Sequence, residues 1–296
     1  MNQPKVLAFI GLGVMGYPMA GHLQHSGFQV VVYNRTEEKA QRWVNEYGGQ
    51  YAKTPQLAVE NADAVFCCVG NDEDVRTVLL GESGVVHGLK PGAIIVDHTT
   101  TSAQLARELE KTFAKLGHAF IDAPVSGGQA GAVNGCLTVM CGGGQEAFDQ
   151  IEPVIKNYAQ CVRLLGDAGS GQLAKMVNQI CAVGAIQGLA EGLHFAEQAG
   201  LDPVAVVEVI SKGAAQSWQM ENRYQTMLAG EYDHGFAVNW MRKDLGFVLR
   251  ESEQNQSDLP ITALIDQFYA DVQAMGGGRW DTSSLLARLQ NKTGKG

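Results

Sequence analysis

At 296 residues the chain exceeds what one hydrophobic core usually organises, which points to two domains. With 45% apolar and 18% charged residues it lies well outside the compositional range of disorder. A net charge of -9 without any Lys/Arg-rich cluster argues against nucleic acid or an anionic membrane as partner, and apolar runs such as Val6 to Ile10 are far too short to span a bilayer.

The first half alternates short β-branched runs with helical patterns, the signature of a parallel sheet covered by helices. Strands are expected at Val6 to Ile10, Val30 to Tyr33, Ala64 to Val69, Ile94 to Val96, Ala119 to Ile121, Thr138 to Cys141 and Val162 to Leu164. Helical patterns fill about 14–25, 37–47, 102–115 and 145–157, with Pro55 and Pro91 marking turns before further elements. Beyond Leu165 the strand signals stop. Gly166-Asp167-Ala168-Gly169-Ser170-Gly171 leads into a long helix over about 172–198, whose small residues suit close packing against another helix. Gly200 ends it, Asp202-Pro203 opens the next, and helices continue to about 290.

Gly11-Leu12-Gly13-Val14-Met15-Gly16 follows the first strand directly and opens an amphipathic helix, the setting that a G-x-G-x-x-G dinucleotide fingerprint needs. Gly11 makes the tight turn, Gly13 lets a pyrophosphate approach the backbone, and Gly16 packs helix on strand, with the phosphates at the positive helix end. The competing reading is a glycine-rich strand-helix turn that binds nothing. The fold expected is an α/β Rossmann-type N-terminal domain over 1–165, followed by an all-α domain over 166–296 for substrate and oligomerisation.

NAD-preferring sites end the second strand with Asp or Glu, which binds the ribose 2′-hydroxyl; here Asn34-Arg35-Thr36 stands instead. Arg35 can pair with a 2′-phosphate while Asn34 and Thr36 donate neutral hydrogen bonds, so NADP(H) is the expected preference, with NAD(H) still usable. The other reading makes Arg35 a solvated residue capping the next helix.

The run from Phe9 through Gly11, Leu12, Gly13, Met15, Gly16 and Met19 to His22 resembles the N-terminal signature of the β-hydroxyacid dehydrogenases. That family includes 3-hydroxyisobutyrate dehydrogenase, tartronate semialdehyde reductase and glyoxylate/succinic semialdehyde reductases. Three further blocks resemble the family's in the same order: Asp122-Ala123-Pro124-Val125-Ser126-Gly127-Gly128, Gly169-Ser170-Gly171 with Lys175-Met176-Val177-Asn178, and Lys243-Asp244-Leu245.

The resemblance implies a hydroxy acid/semialdehyde oxidoreductase acting on a small carboxylate-bearing substrate. Lys175 would be the general acid and base, Ser126, Gly127 and Gly128 would bind the substrate carboxylate, and Asn178 would orient the substrate. Val69, Thr99, Thr100 and Lys243 would lie at the cofactor, Lys243 alternatively at the substrate carboxylate, and Asp244 would hold a helix. The chemistry suits these residue types, because a positioned ammonium stabilises and protonates the oxygen that gains negative charge as hydride arrives. Each has a plainer reading: Ser126-Gly127-Gly128 as a turn, Thr100 as a helix N-cap, Lys175 as a surface lysine, Asn178 as a neutral polar residue. His98 departs from the family's commoner small residue and is read as local packing, and Val69-Gly70-Asn71 replaces its frequent Leu-Pro pair. Trp218, Phe236, Val238 and Trp240 are candidates for tail specificity, although the two tryptophans suit a core or interface equally.

Six cysteines, Cys67, Cys68, Cys136, Cys141, Cys161 and Cys181, form no C-x-x-C pair, and Cys67 and Cys68 adjoin within an apolar strand. A reduced cytoplasmic setting is expected, and with no cationic leader ahead of it the Asn34 glycosylation triplet carries no meaning. Glu191 and His194 read as a polar helix face, not a metal pair. A homodimer or homotetramer is expected. The competing functions are a non-catalytic NADP(H)-binding or sensing module and an imine reductase, whose usual lack of the lysine speaks against it.

Overall fold

The computed structural model describes residues 4–292, the side chain of Lys292 excepted. It divides into two compact units, Met1–Lys175 and Met176–Gly296.

Strand β1 (Val6–Ile10) shows why the first unit is layered. Leu7 and Phe9 enter one core and Ala8 and Ile10 the other, all fully buried. A strand buried on both faces belongs in a parallel sheet covered by helices. With β2 (Gln29–Tyr33), β3 (Gln50–Tyr51), β4 (Ala64–Cys67), β5 (Ile94–Asp97) and β6 (Ala119–Asp122) it forms a parallel array in the order β3-β2-β1-β4-β5-β6. That is the dinucleotide-binding strand order, whose direction reverses between β1 and β4. The sheet continues through β7 (Val125–Ser126), β8 (Leu137–Gly143) and β9 (Ala159–Leu164), β8 running antiparallel to β6 and β7 and parallel to β9. On one face α1 (Gly16–His25), α2 (Glu37–Tyr47), α6 (Gly128–Val133) and α7 (Gln145–Ile155) supply core residues such as Met19, Trp43, Ala132 and Ile151. On the other, α3 (Pro55–Val59), α4 (Asp72–Leu80) and α5 (Ala103–Lys115) supply Val59, Leu79 and Leu109.

β4 ends short of its expected limit at Val69, α4 is a helix that the sequence patterns do not mark, and α5 begins where expected with its cap on Ser102. β4 stops at Cys67: the Cys68 N–H makes a last bond to Ile10 O at 2.9 Å, and the Val69 N–H donates instead to Thr99 Oγ1 at 3.0 Å. Cys68 therefore follows the strand. Helix α4 is opened by Asn71, whose side chain accepts from Asp74 N at 2.9 Å. The cap of α5 is Ser102, accepting from Leu105 N at 3.1 Å, so Thr100 is not the N-cap.

Helix α8 (Ser170–Gln198) carries the chain from the first unit into the second. Its Val183, Ile186, Ala190 and Leu193 recur at helical spacing and are buried in a core shared with α9 (Pro203–Ile210), α10 (Trp218–Ala229), α11 (Val238–Asn255), α12 (Pro260–Ala274) and α13 (Leu285–Lys292). Val238 is wholly buried in that core, which removes it as a substrate-lining candidate. Trp218 and Trp240 fill no core, being 50% and 39% exposed. Among the described residues no helix is long and apolar enough to cross a membrane.

Within the helical unit Asp281, 1% exposed, accepts from Phe236 N at 2.8 Å and Ser283 N at 3.1 Å and pairs with Arg223 at 3.3 Å. Asp281→Ala strands all three partners and is expected to lower the unfolding free energy by about 3 kcal/mol, measured by urea denaturation. A loss below about 1 kcal/mol would contradict this reading.

Candidate active site

The turn after β1 is built around two close approaches. Gly11 has φ +100°, and a Cβ there would lie 2.3 Å from the Cys68 carbonyl oxygen; a Cβ on Gly16 would lie 2.1 Å from the Gly11 oxygen. Gly13, by contrast, has no atom within 4 Å of where its Cβ would stand. Space lies open beside the one glycine that needs it for a ligand. Met15 caps α1 without a side-chain hydrogen bond, and no acidic residue stands in the first turn. The positive helix end is thus left for an external anion, and these residues fit a dinucleotide pyrophosphate.

Asn34 closes the turn from the next strand. Its Oδ1 accepts from Leu12 N at 3.0 Å and its Nδ2 donates to Thr36 O at 2.9 Å, so it works first as a strut within the loop. Thr36 is the N-cap residue of α2, with no side-chain cap bond. Arg35 extends into solvent, 90% exposed, with Nη1 3.7 Å from Asp74 Oδ1. A pair so exposed leaves the guanidinium available.

At the carboxyl edge of the sheet, residues singled out in the sequence meet residues that were not. Asp97 ends β5, wholly buried, and its Oδ1 accepts from Thr99 N at 3.0 Å. Burial pushes its carboxyl up to about 7 against the opposing pull of the Thr99 hydroxyl and N–H. Burial likewise drives the neighbouring Cys67 thiol well up. Asp72 binds Ser102 through N at 3.0 Å and Oγ at 2.6 Å, joining the α4 and α5 loops. His98 is buried, its Nδ1 2.6 Å from Ala123 O and its Nε2 2.8 Å from Tyr158 Oη, and its ring stacks on Phe66. Burial lowers its pKa to about 4, so it is a neutral packing residue.

Asp122 ends β6 and reaches the start of α8. Its two oxygens accept from Gly169 N at 2.7 Å and Gln172 N at 2.9 Å. Burial raises this carboxyl to about 6, with those backbone bonds pulling it down. Gln172, wholly buried, donates from Nε2 to Thr99 O at 2.8 Å and accepts at Oε1 from Thr101 N at 3.0 Å. Lys175, also buried, stands one helical turn beyond Gln172. Ser126 pairs with Thr138 across β7 and β8, and Gly127 and Gly128 follow with φ of +132° and +62°. No atom crowds the Gly128 Cβ position, and α6 begins there. This segment is a turn opening a helix, with exposed backbone.

In the helical unit, Asn178 Nδ2 donates to Gln179 Oε1 at 2.9 Å, and Gln179 Nε2 donates to Asp244 Oδ2 at 2.6 Å. Asp244, 2% exposed, thereby ties α8 to α11. Lys243 Nζ lies 3.3 Å from Asp244 Oδ1 and over the rings of Trp240 and Phe247. Glu191 accepts from Gln187 at 2.6 Å, and among the described residues no cluster of three or more metal-ligating side chains forms.

Residues 6–166 match the family model described as the NAD binding domain of 6-phosphogluconate dehydrogenase, and residues 169–289 the one described as NAD-binding of NADP-dependent 3-hydroxyisobutyrate dehydrogenase. The chain is 65% identical over 284 residues to an uncharacterized oxidoreductase of Shewanella frigidimarina (strain NCIMB 400), covering 96% of this chain and 98% of that one. It is 33% identical over 284 residues to 2-hydroxy-3-oxopropionate reductase of Escherichia coli (strain K12), covering 96% and 97%. The crystal structure of 3-hydroxyisobutyrate dehydrogenase from Salmonella typhimurium matches with a TM-score of 0.86 at 29% identity, over 95% of this chain and 99% of that one.

The raised Asp97 carboxyl makes stability depend on pH. Its folded pKa lies above its unfolded value, so its contribution is fully present below the unfolded pKa of 3.8 and is lost as pH rises through about 7. Asp97→Asn, neutral throughout, lacks that term. The stability of the parent relative to this variant is expected to fall by at least about 1 kcal/mol between about pH 4 and about pH 8, measured by urea unfolding; a pH-independent difference would contradict the assignment.

Proposed function

The chain belongs to the β-hydroxyacid dehydrogenases and is an NAD(P)-dependent oxidoreductase, and we propose that it interconverts a small carboxylate-bearing semialdehyde or keto acid and its hydroxy acid, preferring NADP(H), with Lys175 as general acid and base. The observation that carries this reading is the buried Lys175 one turn after Gln172, on the helix whose start is bonded to Asp122 and to the Thr99–Thr101 loop.

When bound, the dinucleotide supplies the hydride in reduction and accepts it in oxidation. Gly11, Leu12, Gly13, Val14, Met15 and Gly16 would hold its pyrophosphate, Arg35 with Asn34 and Thr36 its 2′-phosphate, and Val69, Thr99, Thr100 and Lys243 its nicotinamide end. The preference for NADP(H) is supported by the missing carboxylate after β2 and the solvent-extended Arg35. Ser126 Oγ and the backbone of Gly127 and Gly128 bind the substrate carboxylate, and Asn178 orients the carbonyl. In reduction the Lys175 ammonium stabilises the oxygen that becomes negative and passes it a proton; in oxidation the neutral amine takes the hydroxyl proton. A reduced cytoplasmic setting suits six cysteines of which none is disulfide-bonded. An exposed stripe on α8, Val177, Cys181, Gly184, Gly188 and Phe195, suits packing against a second copy in a homodimer or homotetramer.

The test is the rate of NADPH and NADH oxidation with glyoxylate, succinic, tartronate and methylmalonate semialdehydes. Parent turnover with NADPH is expected, and Lys175→Ala should lower kcat at least about 100-fold while the NADPH Kd holds. Arg35→Ala should shift preference toward NADH by about tenfold. Lys175→Ala within a few-fold of the parent would sink the catalytic assignment, and equal parent rates with both cofactors the Arg35 assignment. Tight NADPH binding without turnover on any substrate would favour a binding module.

A further inference from the structure

We propose that Gln172 is a positioning residue that fixes Lys175 relative to the Thr99–Thr101 loop; this rests on the reading of Lys175 and Thr99 given above. Four observations converge on it. Gln172 is wholly buried, yet every polar group of its side chain is used. Nε2 donates to Thr99 O at 2.8 Å and Oε1 accepts from Thr101 N at 3.0 Å, so one amide clamps two backbone groups two residues apart. The loop it clamps is held from behind, Thr99 Oγ1 receiving Val69 N at 3.0 Å and Thr99 N reaching Asp97 Oδ1 at 3.0 Å. The backbone of Gln172 is itself bound, its N–H donating to Asp122 Oδ2 at 2.9 Å.

An amide is what this place requires. The site presents one carbonyl and one N–H, and only a group that donates and accepts at once satisfies both; a carboxylate would set an acceptor against Thr99 O, and an apolar chain would orphan both backbone groups. Helix α8 therefore cannot rotate or slide at its first turn without breaking the clamp. Lys175, three residues on and on the same face of the helix, moves with it. Hydride and proton must be delivered to adjacent atoms of one carbonyl, and a displacement of about 1 Å between their sources costs on the order of 100-fold in rate. Gln172 touches neither reactant in this account; it sets the distance between the loop assigned to the nicotinamide and the lysine assigned to the proton.

The experiment compares the parent with Gln172→Met, which keeps the volume and loses both bonds, and Gln172→Asn, which keeps the amide but shortens its reach. Kinetics use NADPH and NADPH deuterated at both C4 positions, with the aldehyde the parent reduces fastest, and NADPH binding is measured separately by fluorescence. The expected result is a kcat at least about tenfold lower in both variants, NADPH Kd and KM within about threefold of the parent, and a larger deuterium isotope effect on kcat. Loss of folded protein alone would scale kcat without enlarging the isotope effect, and would assign Gln172 a merely structural role, as would failure of both variants to fold. Kcat within about threefold and an unchanged isotope effect would overturn the proposal and leave the reaction standing. Loss of NADPH binding in parallel with kcat would overturn it in favour of a cofactor-loop role. A parent that binds NADPH and reduces none of the aldehydes would remove the proposed reaction, and this assignment with it.

Discussion

The carboxylate of Asp122 is the constraint on which the rest of the first unit's site depends. Its two oxygens receive the N–H groups of Gly169 and Gln172 at the opening of α8, so the end of β6 and the start of the long helix form one joint. Burying a carboxyl is costly, and the rise of its pKa to about 6 expresses that cost. The backbone donors and the positive end of the helix offset it. The joint also dictates sequence around it: a Cβ on Gly142 would stand 2.6 Å from Asp122 Oδ1, and one on Gly171 2.8 Å from Oδ2. Glycine at 142 and 171 thus answers to the crowding of this joint, which the carboxylate shares with the Met140 and Asp122 carbonyl oxygens and the Ser170 and Gly171 nitrogens.

From that joint the order of the sheet edge propagates sideways. Gln172 hands it to the backbone of Thr99 and Thr101, Thr99 hands it to Val69 and Asp97, and Asp72 binds the loop again through Ser102. Loops after β4 and β5 and the first turn of α8 are thereby tied together by side chains that carry no chemistry of their own. Asn34 does the corresponding work on the other side of the switch point. It stands where a ribose-binding carboxylate would in an NAD-preferring site, and spends its oxygen on Leu12 and its amide on Thr36. The acidic group is replaced by a strut, and the charge left at that end of the strand is the cationic Arg35.

Much of this was legible in the residues. Strand β1 reads as doubly buried from its unbroken apolar run, the fingerprint glycines declare their close approaches, and Asp202-Pro203 and Gly200 mark helix ends that the structure shows at those positions. Short elements were not legible: β3, β7, α3 and α6 span two to six residues, too few for a period to show. The end of β4 was overrun because Cys68 and Val69 are as apolar as the strand, and what stops it is a hydrogen bond to a threonine 30 residues away. The bonds of Asp122, Gln172 and Gln179 escaped for the same reason, Asp122 standing out only as the head of a family-like block, whereas Asp97 is bound by Thr99 two residues on. An acid closing an apolar strand looks like a strand terminator, and the partners of Asp122 lie 47 and 50 residues along the chain. Val238 misled because its neighbours Phe236 and Trp240 are half-exposed while it faces the core.

The central claim, that this fold delivers hydride and proton to a small semialdehyde, is tested most directly by following the label itself. NADPH carrying deuterium at both C4 positions is incubated with the protein and succinic semialdehyde, and the product is examined by mass spectrometry. The account predicts one deuterium on the carbinol carbon of the hydroxy acid in every turnover, with the hydroxyl proton drawn from solvent through Lys175. Product that forms without deuterium on that carbon, or label that leaves NADPH for water, would contradict it.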